Sequence, residues 1–345
     1  MTIIGERHSR LTKKMNEDLA FPQMRLYEEM PAGVSFPYTM MGNPPNFRSK
    51  EINTDKYGCR ASDFRGEVVN LENIANFTQA NILLGGSTVF GVGSSSDAKT
   101  ISSLLSDLTG QPWLNLGVRA AVSFQEYIHF VQHFKKIKKL GKVVFFSGLN
   151  DIYRNLADNF NTPYDKRFQH QNELYSTNSA KRIAYAYAMS LITTKDVNEF
   201  LHGYEDGDDP ETLSTEEMGK KNLERIFDRN FHLYSALAEY SEFELAYFIQ
   251  PFFPLTGKKG EKREIDAIRR NERRQAETNW PSTKARIINE YEIIRSSILR
   301  LAGRYRFPIY DTNDLFNSDD ALFVDNVHLS DAGNALAAEI IYEKF

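Results

Sequence analysis

Apolar residues along this chain fall into two periods. Short runs, Ile82-Leu83-Leu84, Trp113-Leu114-Asn115-Leu116, Val143-Val144-Phe145-Phe146 and Leu245 to Ile249, read as strands. Val143-Val144-Phe145-Phe146 shows no alternation, the pattern of a strand covered on both faces. The first reads as a strand over 82–86, and Pro308-Ile309-Tyr310 reads as a short fifth. Between the runs, apolar residues return at helical spacing. Ala98, Ile101, Leu104, Leu105 and Leu108 do so before a stop at Gly110. Tyr127, Ile128, Val131, Phe134 and Ile137 follow Ser123 and Glu126, which read as a capping box, and lead to Lys135, Lys136, Lys138, Lys139 and a stop at Gly141. Ser214 and Glu217 read as another capping box, opening a helix to about 240. Further helices are expected around 180–192, over 283–302, and from Ser330 to the C-terminus. Strand and helix alternate five times. This predicts a three-layer α/β/α fold, doubly wound on a mostly parallel five-stranded sheet with helical insertions. Residues 1–80 are punctuated by Pro, Gly and Asn (MPAGVSFP, MGNPPNF, YGCRASDFRG) and predict a wrapping segment, with the main domain over 81–345.

Ligands of such sheets bind beyond the carboxyl ends of the strands. Ser87, Gly117, Asn150 and Gln250 each follow a strand end, so one rim is expected to collect them. Two insertions fall on that rim. Residues 153–213 follow Asn150 and are expected to act as a lid; 255–283 form a charged flap after the fourth strand. Between 258 and 274 the flap carries eight Lys or Arg against four Asp or Glu. It reads either as a solvated helical face or as a device that attracts an anionic substrate.

Composition narrows the function. The 345 residues are 41% hydrophobic and 26% charged with a net charge of −4, ordinary for a globular protein and without the basic field that attracts nucleic acid. No apolar run reaches membrane-spanning length, so no membrane insertion is expected. The N-terminus, MTIIGERHSRLTKKMNEDLAF, has no signal-peptide core, so a cytoplasmic location is expected. The single cysteine, Cys59, permits no internal disulfide and reads as a small packing residue.

The stretch ILLGGSTVFGVGSSS, 82–96, presents Ser87 as a nucleophile at a strand end, or is a phosphate or dinucleotide loop, or an ordinary flexible turn. A phosphate loop needs a lysine soon after its glycines, and none occurs before Lys99. A dinucleotide fingerprint needs a third glycine, which Gly91-Val92-Gly93-Ser94-Ser95-Ser96 lacks. Ser87 as a nucleophile requires a base. His129 and His133 lie one turn apart among lysines and read as a solvated helix face, since no third metal ligand is evident. His8, His170, His202 and His232 have no chemical context. His328 stands just before the last helix, and Asp325 precedes it by three residues. In one turn that spacing can aim the carboxylate at Nδ1 and leave Nε2 for the serine.

Four blocks occur in one order: Gly85-Gly86-Ser87, Asn115-Leu116-Gly117-Val118, Gly148-Leu149-Asn150-Asp151 and Asp325-Asn326-Val327-His328. This set resembles the SGNH hydrolases, also called the GDSL lipase/esterase family, over roughly residues 80 to 345. The first block departs from the usual Gly-Asp-Ser, having Gly86 at the middle position. The resemblance implies a flavodoxin-like hydrolase fold and a serine esterase without metal or organic cofactor. It implies Ser87 as nucleophile, His328 as base and Asp325 as its orienter. The oxyanion would be held by the backbone N–H of Ser87 and Gly117 and the side-chain amide of Asn150. Gly86 and Gln250 are expected to touch the substrate. With the compartment, it points to a small O-acyl ester, an O-acetyl group above all, on a carbohydrate or related metabolite, neutral or anionic. Other functions stay open. An acyltransferase would use the same triad. A thioesterase or lipase would need a long apolar groove, for which Phe252, Phe253 and Leu255 are placed. A non-catalytic carbohydrate-binding module would need a broken triad.

Overall fold

The structure, a computed structural model, describes residues 20–31, 42–157, 215–276 and 278–345. The helix expected around 180–192, the side chains of the Ser214–Glu217 box and all but the first residues of the expected lid lie outside the described residues. A short antiparallel hairpin, β1 (Ser62–Phe64) and β2 (Glu67–Val69), precedes the main sheet. That sheet contains β3 (Ala80–Gly85), β4 (Trp113–Gly117), β5 (Leu140–Ser147), β6 (Glu244–Ile249) and β7 (Ile309–Asp311) in the order β4-β3-β5-β6-β7. Every pairing in it is parallel. Gly85 pairs with both Gly117 and Phe146, and Ile249 pairs with both Ser147 and Asp311, so the carboxyl ends finish nearly level. β4 is added on one side of β3 and β5 on the other, so the strand order reverses at β3, the switch point where such sheets open a crevice.

Neighbouring strand residues point to opposite faces. Ile82, Leu84, Val143, Phe145, Leu245 and Tyr247 share one core with α4 (Ser123–His133), α5 (Leu149–Ala157), α6 (Thr215–Ser241) and α8 (Trp280–Ala302). Leu83, Val144, Phe146, Ala246 and Phe248 share the other with α3 (Ile101–Thr109) and α9 (Asp331–Lys344). Both faces are covered, which is why the strands show no alternation. The fold is therefore the expected three-layer α/β/α sandwich, with its five-stranded sheet wholly parallel. No helix among the described residues is long and apolar enough to cross a membrane.

Local chemistry sets the boundaries. Gly110 ends α3 in the left-handed region at φ +65°, and the Ser330 hydroxyl caps α9 by accepting from Gly333 N–H at 3.1 Å. Ser123 is not the cap of α4. That helix starts at Ser123 itself, one residue earlier than a Ser123 cap requires, and Gln125 Oε1 accepts from the Val122 N–H at 3.1 Å. Ser123 and Glu126 are instead spent on tertiary partners described below. The α4 core face is also rotated from expectation: Phe130 is buried, whereas Val131 is 41% exposed. Gly141 lies inside β5, which begins three residues before the apolar run.

The segment before β3 packs onto the rim. Asn43, buried, donates from Nδ2 to the Gly117 carbonyl at 2.9 Å, and its Oδ1 accepts from the Arg119 N–H at 3.0 Å. Arg60, fully buried, pairs with Asp97 at 2.8 Å. After Gly85 the chain turns directly into a single helical turn, α2 (Ser87–Phe90), laid across the end of β4. A methyl group at Gly117 would overlap the Phe90 nitrogen and stand 2.6 Å from the Val89 carbonyl carbon. Backbone cannot yield there as a side chain can. Gly117→Ala is therefore expected to cost about 3 kcal/mol or more of stability, read by chemical denaturation; a variant within experimental error of wild type would contradict this packing.

Candidate active site

Ser87 is the first residue of α2, and its carbonyl accepts from the N–H groups of Gly91 and Val92 at 3.1 and 3.0 Å. The turn therefore holds the hydroxyl at the mouth of the crevice. His328 comes from the loop before α9. That loop is closed at its base by a bridge between Phe323 and Leu329 and by Val324 N–H donating to the His328 carbonyl at 2.9 Å. Asp325, three residues earlier, uses one carboxylate oxygen to accept from the N–H groups of Val327 and His328, both at 2.8 Å. Its other oxygen lies 2.7 Å from His328 Nδ1. An ionised carboxylate only accepts, so Nδ1 carries the proton and Nε2 is left as an acceptor. His328 Nε2 lies 2.8 Å from Ser87 Oγ. Burial pushes the Asp325 carboxyl upward, but the His328 charge, its hydrogen bond and the two backbone N–H groups together hold it below the ordinary range. The structure thus brings Ser87, His328 and Asp325 into one hydrogen-bonded line.

The residues assigned to the oxyanion divide. Asn150, in the first turn of α5, donates from Nδ2 to the Ala121 carbonyl at 2.6 Å. That amide has a second N–H, and Asn150 lines the same pocket as Ser87 and His328. Gly86 makes room for it: a Cβ there would stand 2.7 Å from Asn150 Nδ2. The departure from Gly-Asp-Ser is thus accommodated by the amide beside it. Gly117 does not fit its assignment. Its N–H donates to Asn115 Oδ1 at 2.9 Å, and it is absent from the pocket wall. Glycine is required there by the packing of α2, not by substrate approach. Ala120, three residues on, lines the pocket, no acceptor takes its N–H among the described residues, and it holds φ at +60°, a region alanine seldom enters. Strain of this kind gathers at functional sites. Nothing in the sequence marks Ala120, because an alanine at positive φ looks like any other.

A pocket of about 620 Å³ opens around these groups. Leu149, Tyr153, Ile287 and Trp280 form an apolar side, with Tyr153 and Trp280 rings 5.7 Å apart. Asn271, Gln275 and Thr278 come from the expected flap, whose helix α7 (Lys262–Arg274) is anchored by a buried ion pair, Lys258 to Glu264 at 2.9 Å. Met24 and Tyr27 come from α1 (Met24–Glu29), a contribution that sequence reasoning missed. Gln250 lines the pocket, but its amide N–H donates to the Val327 carbonyl at 3.0 Å, so it also braces the His328 loop. Phe252 is fully buried and Phe253 packs on Phe323; neither they nor Leu255 line the pocket. Among the described residues no three His, Cys, Asp or Glu side chains are arranged to hold a metal.

The family model for GDSL-like lipase/acylhydrolase matches residues 53–341. This chain belongs to the GDSL-like lipase/acylhydrolase family. The match begins inside the segment expected only to wrap, which agrees with the buried contacts of Arg60 and the hairpin. A search of the curated proteins returns no match. Among solved structures, this GDSL-like chain is similar to the acetyl xylan esterase AlAXEase (13% identity, TM-score 0.35, covering 77% of this chain and 98% of that one). It is also similar to Est24, a carbohydrate acetylesterase from Sinorhizobium meliloti (10%, 0.39, 77% and 97%), and to an aryl esterase from M. smegmatis (13%, 0.38, 77% and 97%).

Beneath the site of this GDSL-like hydrolase runs a buried polar layer that the sequence misassigned. Asp151, beside Asn150, accepts from the Ser123 hydroxyl at 2.8 Å and the Ser123 N–H at 3.1 Å, and Asn230 donates to that hydroxyl at 2.6 Å. These bonds join the starts of α4 and α5 and so fix Asn150. Glu126 accepts from the Ser147 hydroxyl at 2.8 Å, and burial together with the Asp151 charge pushes its carboxyl well upward. His129 and His133 are not a solvated face. His129 is 9% exposed, its Nε2 lies 3.8 Å from Cys59 Sγ, and its ring stands edge-on to His133 at 4.9 Å. Cys59 therefore does meet a histidine, but burial pushes its thiol well upward, away from the reactive thiolate. Burial lowers His129 to about 4, against a hydrogen bond to Leu116. Burial, followed by the charges of His129 and Lys136, lowers His133 to about 3. The unfolded chain binds these protons near pH 6.5 and the folded chain does not. Stability is thus present above about 6.5 and is lost as pH falls toward 4, by about 3 kcal/mol for His129 alone. Denaturation from about pH 7 to about pH 4.5 should show this decline, and His129→Leu should flatten it; identical slopes would contradict the buried neutral pair.

Proposed function

We propose that the chain is a serine esterase that removes a small O-acyl group, an O-acetyl above all, from a carbohydrate or related metabolite. The observation that carries this reading is the unbroken line from Asp325 Oδ2 through the His328 ring to Ser87 Oγ, with contacts of 2.7 and 2.8 Å. In this reading Ser87 Oγ attacks the ester carbonyl while His328 Nε2 takes its proton. Asp325 keeps the ring in the productive tautomer and stabilises the imidazolium. The carbonyl oxygen, becoming an alkoxide, is met by the N–H groups of Ser87 and Ala120 and by the free N–H of Asn150 Nδ2. His328 then returns the proton to the departing sugar oxygen. Water, deprotonated by the same nitrogen, releases the acyl group and restores Ser87.

The pocket supports a sugar as the alcohol. Its volume of about 620 Å³ far exceeds the needs of an acetyl group. Trp280 and Tyr153 offer ring faces to the apolar side of a pyranose, and Asn271, Gln275 and Thr278 offer hydrogen bonds to its hydroxyls. Phe252 and Phe253 are committed to the core, which favours a short acyl chain over a long one.

Asn150→Ala should lower kcat on an acetyl ester by about a hundred- to a thousandfold while leaving the melting temperature near that of wild type. Near-normal turnover would remove Asn150 from the oxyanion site. Ser87→Ala should abolish turnover, and residual steady-state hydrolysis at the wild-type rate would refute the nucleophile.

A further inference from the structure

The two buried cations among the described residues come with counter-ions: Arg60 meets Asp97 at 2.8 Å and Lys258 meets Glu264 at 2.9 Å. Arg119, half-buried, meets no carboxylate among the described residues. It follows β4 in the loop that leads to Ala120, and it lines the same pocket as Ser87 and His328. Its Nη2 donates to the Pro31 carbonyl at 2.5 Å, and its Nε is buried without a hydrogen-bond partner. Among the described residues no carboxylate pairs with it. Asp325, the one carboxylate in the described wall, is already engaged by His328 and two backbone N–H groups. Burial lowers the Arg119 pKa, with no neighbouring charge acting against it.

A half-buried guanidinium with a buried Nε that lacks a hydrogen-bond partner favours the approach of an anion, which offsets part of the cost of its desolvation. Its planar fork suits a carboxylate or a phosphate, each of which offers two oxygens at matching spacing. The flap does not supply this charge: the residues it contributes to the wall, Asn271, Gln275, Thr278 and Trp280, are uncharged. Positive charge enters the pocket from the β4–α4 loop instead, one residue from Ala120. We propose that Arg119 binds an anionic group, a carboxylate or a phosphate, carried by the acylated sugar whose ester Ser87 attacks. This rests on the esterase reading given above and adds the charge of the substrate to it.

The test begins with fluorophosphonate labelling at Ser87 in the full chain; absence of labelling would sink the esterase reading itself. With labelling in hand, kcat/KM is measured on mono-O-acetylated glucuronate, mono-O-acetylated glucose 6-phosphate and mono-O-acetylated glucose. Wild type should prefer at least one anionic ester over the neutral one by about tenfold or more, and the arm preferred tells carboxylate from phosphate. Arg119→Gln, which can still donate to Pro31, should erase that preference mainly through KM. Arg119→Lys should keep a good part of it. A merely structural role would lower turnover on anionic and neutral esters alike. As a measurement on the unsubstituted protein, glucuronate or glucose 6-phosphate should inhibit at about tenfold lower concentration than glucose. A labelled enzyme with no anionic preference, or equal inhibition by all three sugars, would overturn the proposal and leave the esterase reading standing.

Discussion

The Ser87 hydroxyl and the His328 imidazole come from turns 241 residues apart, and the 2.8 Å between them depends on how those turns are tied together. Thr88, the residue after Ser87, donates from its hydroxyl to the Val327 carbonyl at 3.2 Å. Gln250, at the end of β6, donates to the same carbonyl at 3.0 Å. Asp325 gathers the N–H groups of Val327 and His328 on one oxygen and the imidazole on the other. The Val327 carbonyl thus ties the C-terminal loop to the Ser87 turn and the end of β6, and the Asp325 carboxylate holds that loop's own shape. A proton can pass between Ser87 and His328 without a search through rotamers, which is the value of preorganisation.

The sheet makes this convergence possible. Parallel strands in register end at one level, and each loop beyond that level contributes one group to the crevice. Where the loops crowd, side chains are removed. Gly117 lets α2 lie directly on β4, and Gly86 leaves room for the Asn150 amide beside the Ser87 turn. Where the loops need bracing, polar groups are buried. Asp151, Ser123 and Asn230 hold α5 to α4, and Asn43 holds the β4–α4 loop from below. Buried polar groups of this kind are satisfied at the expense of tolerance to change: removing one partner strands the others.

Much of this was legible in the sequence. Unbroken apolar runs gave the strands, because both faces of a parallel sheet are covered, and Gly110 and Ser330 marked helix ends whose backbone chemistry is local. Ser87, Asn150, Asp325 and His328 were singled out by the order of their four blocks, each at a strand end or a helix start, and the structure brings Ser87, Asp325 and His328 into contact. What escaped depends on contacts between distant segments. Ser123 and Glu126 have the spacing of a capping box, but Asp151 and Ser147 claim them. His129 looked solvated because lysines follow it, although its own face of α4 turns inward onto Cys59. Gly117 looked like the oxyanion donor because a glycine is visible in a sequence; the positive φ of Ala120 is not. Arg119 gave no signal at all, since an absent counter-ion is a property of the folded pocket.

The central claim is that Ser87, His328, Asn150 and Ala120 form one acyl-transfer centre. Its most direct test is a crystal structure of the protein after reaction with diethyl p-nitrophenyl phosphate. The account predicts phosphorus bonded to Ser87 Oγ, with the phosphoryl oxygen within hydrogen-bonding reach of the Ser87 and Ala120 N–H groups and Asn150 Nδ2. Phosphorus on another residue, or a phosphoryl oxygen turned toward solvent and away from those three donors, would contradict it.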